Sequence, residues 1–178
     1  MSDTPKPITR SEREAKLKDK AGFVISVFAL FLAFNTYIAN GLSGTVLTNT
    51  IKANDTWSFY QAKSIKQTMN ETAADEAEAR GDKVKAEQYR ATAIRYESEP
   101  STGEGKKELM SKALGIEAER DLAKRKSPWI SFAGSTMQLA IVLVSASIIA
   151  VSSLMFWSSF GVMAIGLALM LQGLFLWI

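Results

Sequence analysis

The chain has 178 residues, 47% of them hydrophobic, a net charge of +3 and a mean hydropathy near zero, averages that would suit an ordinary soluble domain. The distribution excludes one: every charged residue lies in the first 126 positions, and residues 127–178 contain no Asp, Glu, Lys or Arg. Cys and His are both absent, which removes disulfides, thiolate nucleophiles, imidazole bases and most transition-metal ligand sets, and no basic stripe with interleaved aromatics points to nucleic acid.

Residues 1–20 form a basic N-terminal segment, with Lys6, Arg10, Arg13, Lys16, Lys18 and Lys20 against four acidic residues. Pro5 and Pro7 keep its start extended, and "SEREAKLKDK" then reads as a helix running into the first apolar block. That block, residues 21–39, covers ~28 Å at helical rise, enough for one membrane span. A cleaved secretory signal is the competing reading. The long polar leader and the lack of a small-residue cleavage site favour an uncleaved anchor.

Residues 40–128 are the charged region, with 15 basic and 14 acidic residues and almost no strand signal. They are rich in Ala, Glu, Lys, Gln and Arg, and small or apolar residues recur at three-and-four spacing. The stripes expected to face inward are Ala62, Ile65, Met69, Ala73 and Ala77; then Ala86, Tyr89, Ala93 and Tyr96; then Leu109, Ala113, Ile116 and Ala123. Gly81 is the expected helix stop and Asp82 the next N-cap, while Ser101 and Glu104 have the spacing of a capping box after Pro100. A helical hairpin turning at Gly81 results.

The second apolar block, residues 129–156, and the third, residues 160–178, are each long enough to span, with a tight turn expected at Ser158 and Ser159. Trp129, Trp157 and Trp177 fall at the expected span ends, where indoles favour the headgroup layer. The expected fold is therefore an all-α membrane protein, three transmembrane helices with an extramembrane helical hairpin between the first and second. Lys and Arg before the first span place the N-terminus in the cytoplasm and the hairpin outside, although Arg120, Lys124, Arg125 and Lys126 favour the opposite sense.

The motifs "NDTWSFYQAKSIKQT" and "YRATAIRYESEPSTGEGKKELMSKA", in the order anchor, charged helical region and apolar pair, resemble the bacterial DUF4337 family of membrane proteins. The segments carrying the likeness are Trp57, Tyr60, Gln61, Ala62, Lys63 and Ser64, and residues 98–109. The resemblance implies a bacterial inner-membrane setting. It implies no activity, catalytic residue or cofactor.

Trp57 and Tyr60 share a helical face with Ser64, whereas Phe59 points elsewhere, so one antiparallel partner cannot bury all three rings. Packing within one hairpin, a subunit interface and a lipid-facing belt are the three readings, and the subunit interface leads. Small-xxx-small pairs in the apolar blocks, Gly22 with Ser26 on the first span among them, permit close helix approach in lipid. Candidate interface residues are thus Trp57, Phe59, Tyr60, Ser64, Gly22 and Ser26. "STGEGKK" lacks the spacing of a phosphate loop, and Glu71, Asp75 and Glu78 read as a solvated face rather than a metal site.

No ionisable side chain lies in the expected spans, which argues against a pump, and no nucleophile and base pair suggests an enzyme. The expectation is a bilayer-anchored scaffold or accessory protein forming a homo-oligomer, without metal or cofactor. The alternatives are an oligomeric pore lined by polar residues such as Asn35, Thr36 and Asn40, or a module recruiting a membrane or periplasmic protein.

Overall fold

Nothing between Arg10 and Ala79 interrupts a helix: the stretch has no proline, and its glycines are isolated, each costing about 1 kcal/mol against alanine. In the computed structural model, which describes residues 10–177, this stretch is one 70-residue helix, α1 (Arg10–Ala79). It is followed by α2 (Lys83–Glu97), α3 (Lys106–Ala150) and α4 (Ser153–Phe175), and no strand occurs among the described residues. Residues 1–9 of the basic segment and residue 178 lie outside the described residues. By length and composition, α1, α3 and α4 are each apolar enough to cross a membrane.

The helix stops are built from backbone chemistry. At the end of α1, Gly81 takes φ +83°, the Asp82 N–H donates to the Ala77 carbonyl and the Gly81 N–H to the Glu78 carbonyl. This is the paired six-to-one and five-to-two closure that glycine favours. Asp82 then caps α2, its carboxylate accepting from the Lys85 N–H, as the sequence predicts.

The same closure ends α3 with a residue that gives no sequence signal. Val151 adopts φ +50°, and the Ser152 N–H reaches the Ser147 carbonyl. The turn between the last two apolar helices therefore lies at Val151 and Ser152, not at Ser158 and Ser159. Those two serines stay helical because their hydroxyls donate back to the Met155 and Phe156 carbonyls, satisfying themselves without a break. The expected boundaries at 156 and 160 move accordingly to Ala150 and Ser153. α3 also continues through Pro128, where the sequence suggests a boundary.

Contacts divide the chain into two compact units, Met1–Ser43 with Lys124–Ile178, and Gly44–Ala123. In the first, apolar unit, α1 turns Ala21, Ile25, Phe28, Leu32, Asn35, Ala39 and Leu42 inward, alternating steps of four and three. On α3, Ser127, Ile130, Gly134, Met137, Ile141, Val144 and Ile148 do the same, and on α4 so do Phe156, Ser159, Met163, Gly166, Met170 and Gly173. Such spacing is the signature of supercoiled helices packing knobs into holes.

Size alternates along these seams. A Cβ placed on Gly173 would meet Ile130 at 2.7 Å, and one on Gly166 would meet Met137 at 2.9 Å, so glycine on α4 receives the large side chains of α3. One heptad earlier the same register sets Ser159 opposite Val144, both fully buried. Phe28 packs edge-on against Phe160 at 5.4 Å between ring centres. Asn35 is 3% exposed, donates through Nδ2 to the Ile130 carbonyl at 3.1 Å, and is admitted by Gly134, where a Cβ would come within 2.8 Å of that nitrogen. Its Oδ1 has no partner. The outer surface of this unit is apolar, with Phe23, Leu30, Phe34, Val142, Ile149 and Trp157 all exposed, far beyond the patches a monomeric soluble protein tolerates. That surface is compatible with membrane association.

In the second, charged unit, the inward positions of α1 are Val46, Asn49, Ala53, Thr56, Tyr60, Lys63, Gln67, Asn70, Ala74 and Ala77, again in steps of four and three. Here the structure corrects the sequence reading. Ile65 and Met69, expected inside, are 61% and 65% exposed, and Ala62 is exposed with them. Ala73 is half-buried and Ala77 buried, as expected, but before them the inward seam is polar and the larger apolar residues lie on the opposite face. On α2 and α3 the expected stripe holds, with Ala86, Ala93, Leu109, Ala113 and Ala123 buried, although Tyr89 is exposed.

The glycine seam of α4 yields a matched test. Gly173→Leu, meeting Ile130 and Trp129, lowers stability by about 1–3 kcal/mol through overpacking. Gly161→Leu, with nothing within 4 Å of its Cβ position, leaves stability unchanged or slightly raised. Thermal unfolding of the detergent-solubilised chain, followed by circular dichroism, distinguishes the two.

Candidate functional site

The charged unit gathers its polar chemistry where α2 ends and α3 begins, beside the middle of α1. Ser98, the C-cap of α2, is extended, and Gly103 takes φ +71°, so the chain turns sharply back before Lys106 starts α3. The capping box expected from Ser101 and Glu104 does not form. Instead the Gly105 carbonyl accepts from the Leu109 N–H, and Glu108 reaches to the Ser98 hydroxyl (2.7 Å) and the Glu99 N–H (3.1 Å). The carboxylate thus ties the end of α2 to the start of α3. These donors hold its pKa below the ordinary carboxylate value, the Ser98 hydroxyl most and the Glu99 N–H next. Only glycine fits at 105, since a Cβ there would lie 2.3 Å from that carboxylate and 2.4 Å from the Glu99 nitrogen.

Lys106 is the hub. Its Nζ donates to Gln67 Oε1 at 2.8 Å and to Glu97 Oε2 at 3.1 Å, and lies 5.6 Å from the centre of the Tyr60 ring. The middle of α1, the end of α2 and the start of α3 meet on one ammonium. The Glu97 carboxyl is held below its usual pKa, first by the hydrogen bond from Lys106. Lys63 repeats the pattern more openly, 3.4 Å from Glu104 and 5.5 Å from the Tyr96 ring. Lys107 also approaches Glu97, at 4.0 Å, so both lysines of "STGEGKK" face a carboxylate.

The expected sharing of faces by the aromatic triplet is what the structure shows. Trp57 and Tyr60 pack edge-on at 5.5 Å, both half-buried, and the Trp57 indole donates to Glu117 at 3.4 Å. Ser64 is half-buried on the same face. Phe59 turns away and is 65% exposed, near Leu109 and Lys112. Packing within the chain therefore accounts for two rings and leaves the third open.

Gly22 and Ser26 belong to the apolar unit, not to this cluster. Both are exposed, nothing lies within 4 Å of the Gly22 Cβ position, and the Ser26 hydroxyl donates to the Gly22 carbonyl. Of the three carboxylates weighed as a solvated face, Glu78 and Asp75 both approach Arg90, and Glu71 accepts from Gln67. Among the described residues no group of three acidic side chains is placed to hold a metal ion.

Sequence reasoning missed Lys106, Gln67 and Glu97 as a unit. Gln67 and Lys63 continue the four-three register of Ala53, Thr56 and Tyr60, and that register was the available signal.

The model of the family described as "Domain of unknown function (DUF4337)" matches residues 17–176, and the chain belongs to that family. No curated protein and no solved structure matches it.

The two lysines are almost equally buried, 16% and 18% exposed, and separate by their partners. Lys106→Met removes two hydrogen bonds from a side chain only 16% exposed and strands Glu97 and Gln67, lowering stability by about 1–3 kcal/mol. Lys63→Met, whose partner Glu104 is 67% exposed, costs less than about 1 kcal/mol. Denaturant unfolding of the full chain in detergent measures both.

Proposed function

We propose that this member of the DUF4337 family is a membrane-anchored helical scaffold, or accessory protein, that assembles with copies of itself. The helices α1, α3 and α4 supply three spans, and the charged unit forms a helical hairpin outside the bilayer. The observation carrying the self-assembly is the outer face of α1 in the charged unit. Opposite its polar seam, Leu47, Ile51, Ala62, Ile65 and Met69 are all exposed, with Phe59 at the edge of the stripe. Ser64, Ile65, Thr68 and Met69 line an open groove along it. Apolar stripes at helical spacing are the form in which one helix receives another. The rings of Trp57 and Tyr60 stiffen the inner side of the same helix, and Phe59 reaches past it.

Ile65→Glu combined with Met69→Glu places charge on that stripe without touching the inner seam. The mass of the detergent-solubilised assembly then falls while helical content is kept, as read by light scattering and circular dichroism. An unchanged mass refutes assembly through this face. An unchanged mass together with loss of a co-purifying second protein transfers the face to the recruiting-module reading.

The orientation we favour has the N-terminus in the cytoplasm of a bacterial inner membrane and the hairpin in the periplasm, on the charge asymmetry around the first span. Because the native chain has no cysteine, Ser101→Cys and Thr4→Cys report it directly. An impermeant maleimide on intact, outer-membrane-permeabilised cells modifies position 101 and not 4. The reverse pattern inverts the orientation.

A further inference from the structure

α3 carries a second seam in its apolar stretch. Ser131, Ser135, Gln138, Val142, Ser145 and Ile149 recur in steps of four, three, four, three and four, and every one is exposed. Ser135 and Ser145 donate to the Ser131 and Ile141 carbonyls, so their hydroxyls are satisfied and present only small bulk. Gln138 differs. Its amide makes no hydrogen bond within the chain and stands on an exposed face with Val142 one turn on, nine residues, ~14 Å, into a stretch that begins at Trp129.

On the reading that this unit spans a bilayer, that depth is hydrocarbon, where an unpaired amide is strongly disfavoured. Its partner must offer both a donor and an acceptor at the same depth. The other polar groups of the unit do not fit: Ser26 lies near this depth, but its hydroxyl donates to the Gly22 carbonyl and cannot give an amide both a donor and an acceptor. Asn35 is buried at the level of Ile130, eight residues, ~12 Å, away along α3, and the Thr36 hydroxyl is satisfied by the Leu32 carbonyl. Asn40 lies beyond Asn35 on α1, roughly 20 Å from Gln138 in depth.

We infer that the occupant of this face is the same face of a second copy of the chain. Copies inserted in one sense hold like residues at like depth, so a two-fold axis along the membrane normal brings Gln138 to Gln138, and each amide gives one hydrogen bond and accepts one. The serines at 131, 135 and 145 allow the two helices to close to the distance this needs. The inference rests on the membrane-scaffold reading and deepens it by naming the contact between spans. It is separate from the outer face of α1 in the charged unit.

The test is disulfide trapping in native membranes with single cysteines that keep Gln138. Copper phenanthroline oxidation yields covalent dimer from Ser135→Cys and Val142→Cys, and little from Phe23→Cys or Ile165→Cys, exposed on α1 and α4. Adding Gln138→Leu lowers the dimer yield at 135 by about fivefold or more, whereas Gln138→Asn, which keeps an amide, retains part of it. Since the side chain touches no partner within the chain, Gln138→Leu keeps helical content and melting behaviour. Equal trapping at all four positions, none at 135 and 142, or indifference to Gln138→Leu each overturns the interface. Alkaline carbonate extraction separates the two levels: a chain that stays in the pellet with an intact assembly but fails the trapping refutes this contact alone, and a chain released to the supernatant refutes the membrane reading as well.

Discussion

The alternation of four- and three-residue steps along α1 governs both units. From Ala21 to Ala77 each position in that register is buried or half-buried, and the register passes Ser43 and Gly44 without a skip. A straight helix of 3.6 residues per turn drifts away from such a repeat, so the partners must wrap in a left-handed sense to stay in contact with it. The constraint is geometric and does not demand apolar side chains. In the apolar unit the positions carry Ile, Phe and Leu; in the charged unit the same positions carry Asn, Thr, Lys and Gln. One repeat thus serves two chemistries, packing by volume in one unit and by hydrogen bonds in the other.

Volume explains most of the specificity of the apolar unit. Where the surroundings are apolar, oiliness cannot distinguish inside from outside, and close approach decides which faces meet. The pairing of Gly173 with Ile130 and of Gly166 with Met137 supplies that approach at seven-residue intervals, and a one-residue slip of α4 would set large against large. Asn35 adds a directional bond to the Ile130 carbonyl, possible only because position 134 has no side chain. In the charged unit the corresponding role falls to Lys106, whose ammonium fixes Gln67, Glu97 and the Tyr60 ring together. A half-buried cation with two oxygen partners adds little net stability against an apolar core, but it tolerates few alternative registers.

How much of this the sequence disclosed follows from which rule each segment obeys. The Gly81 stop, the Asp82 cap and the inward stripe of α3 are read from residue type, because glycine, aspartate and a run of Leu, Ala and Ile carry their own preferences. The break at Val151 has no such mark: a β-branched residue at positive φ is what propensity argues against, and the signals at Ser158 and Ser159 pointed past it. On α1 in the charged unit the expected stripe holds at Ala73 and Ala77 and fails at Ala62, Ile65 and Met69 for a related reason. Ile65 and Met69 carry the apolar period, while the seam is held by Tyr60, Lys63 and Gln67, residues that apolar periodicity does not count. For the aromatic triplet, the division of faces was legible from helical geometry, but the tie of Trp57 to Glu117 depends on a partner sixty residues away.

The outward placement of Ile65 and Met69 bears on the proposed assembly. A helix that ends its burial within one chain places its apolar residues inward and its polar ones in water, since each exposed Ile or Met forgoes the gain from leaving water. Through the charged unit α1 does the reverse, holding lysine, glutamine and asparagine toward its own neighbours and Leu47, Ile51, Ile65 and Met69 away from them. Solubility does not account for this pattern, because the surrounding surface is dense in charge while the two ends of the stripe, Leu47 with Ile51 and Ala62 with Ile65 and Met69, carry none; Asp55 and Ser58 separate them. The proposed arrangement, in which the inner seam sets register and the outer stripe receives another helix, accounts for both halves. In the proposed assembly the interior contacts need not be strong, because the remaining burial would come from the same helix of a second copy.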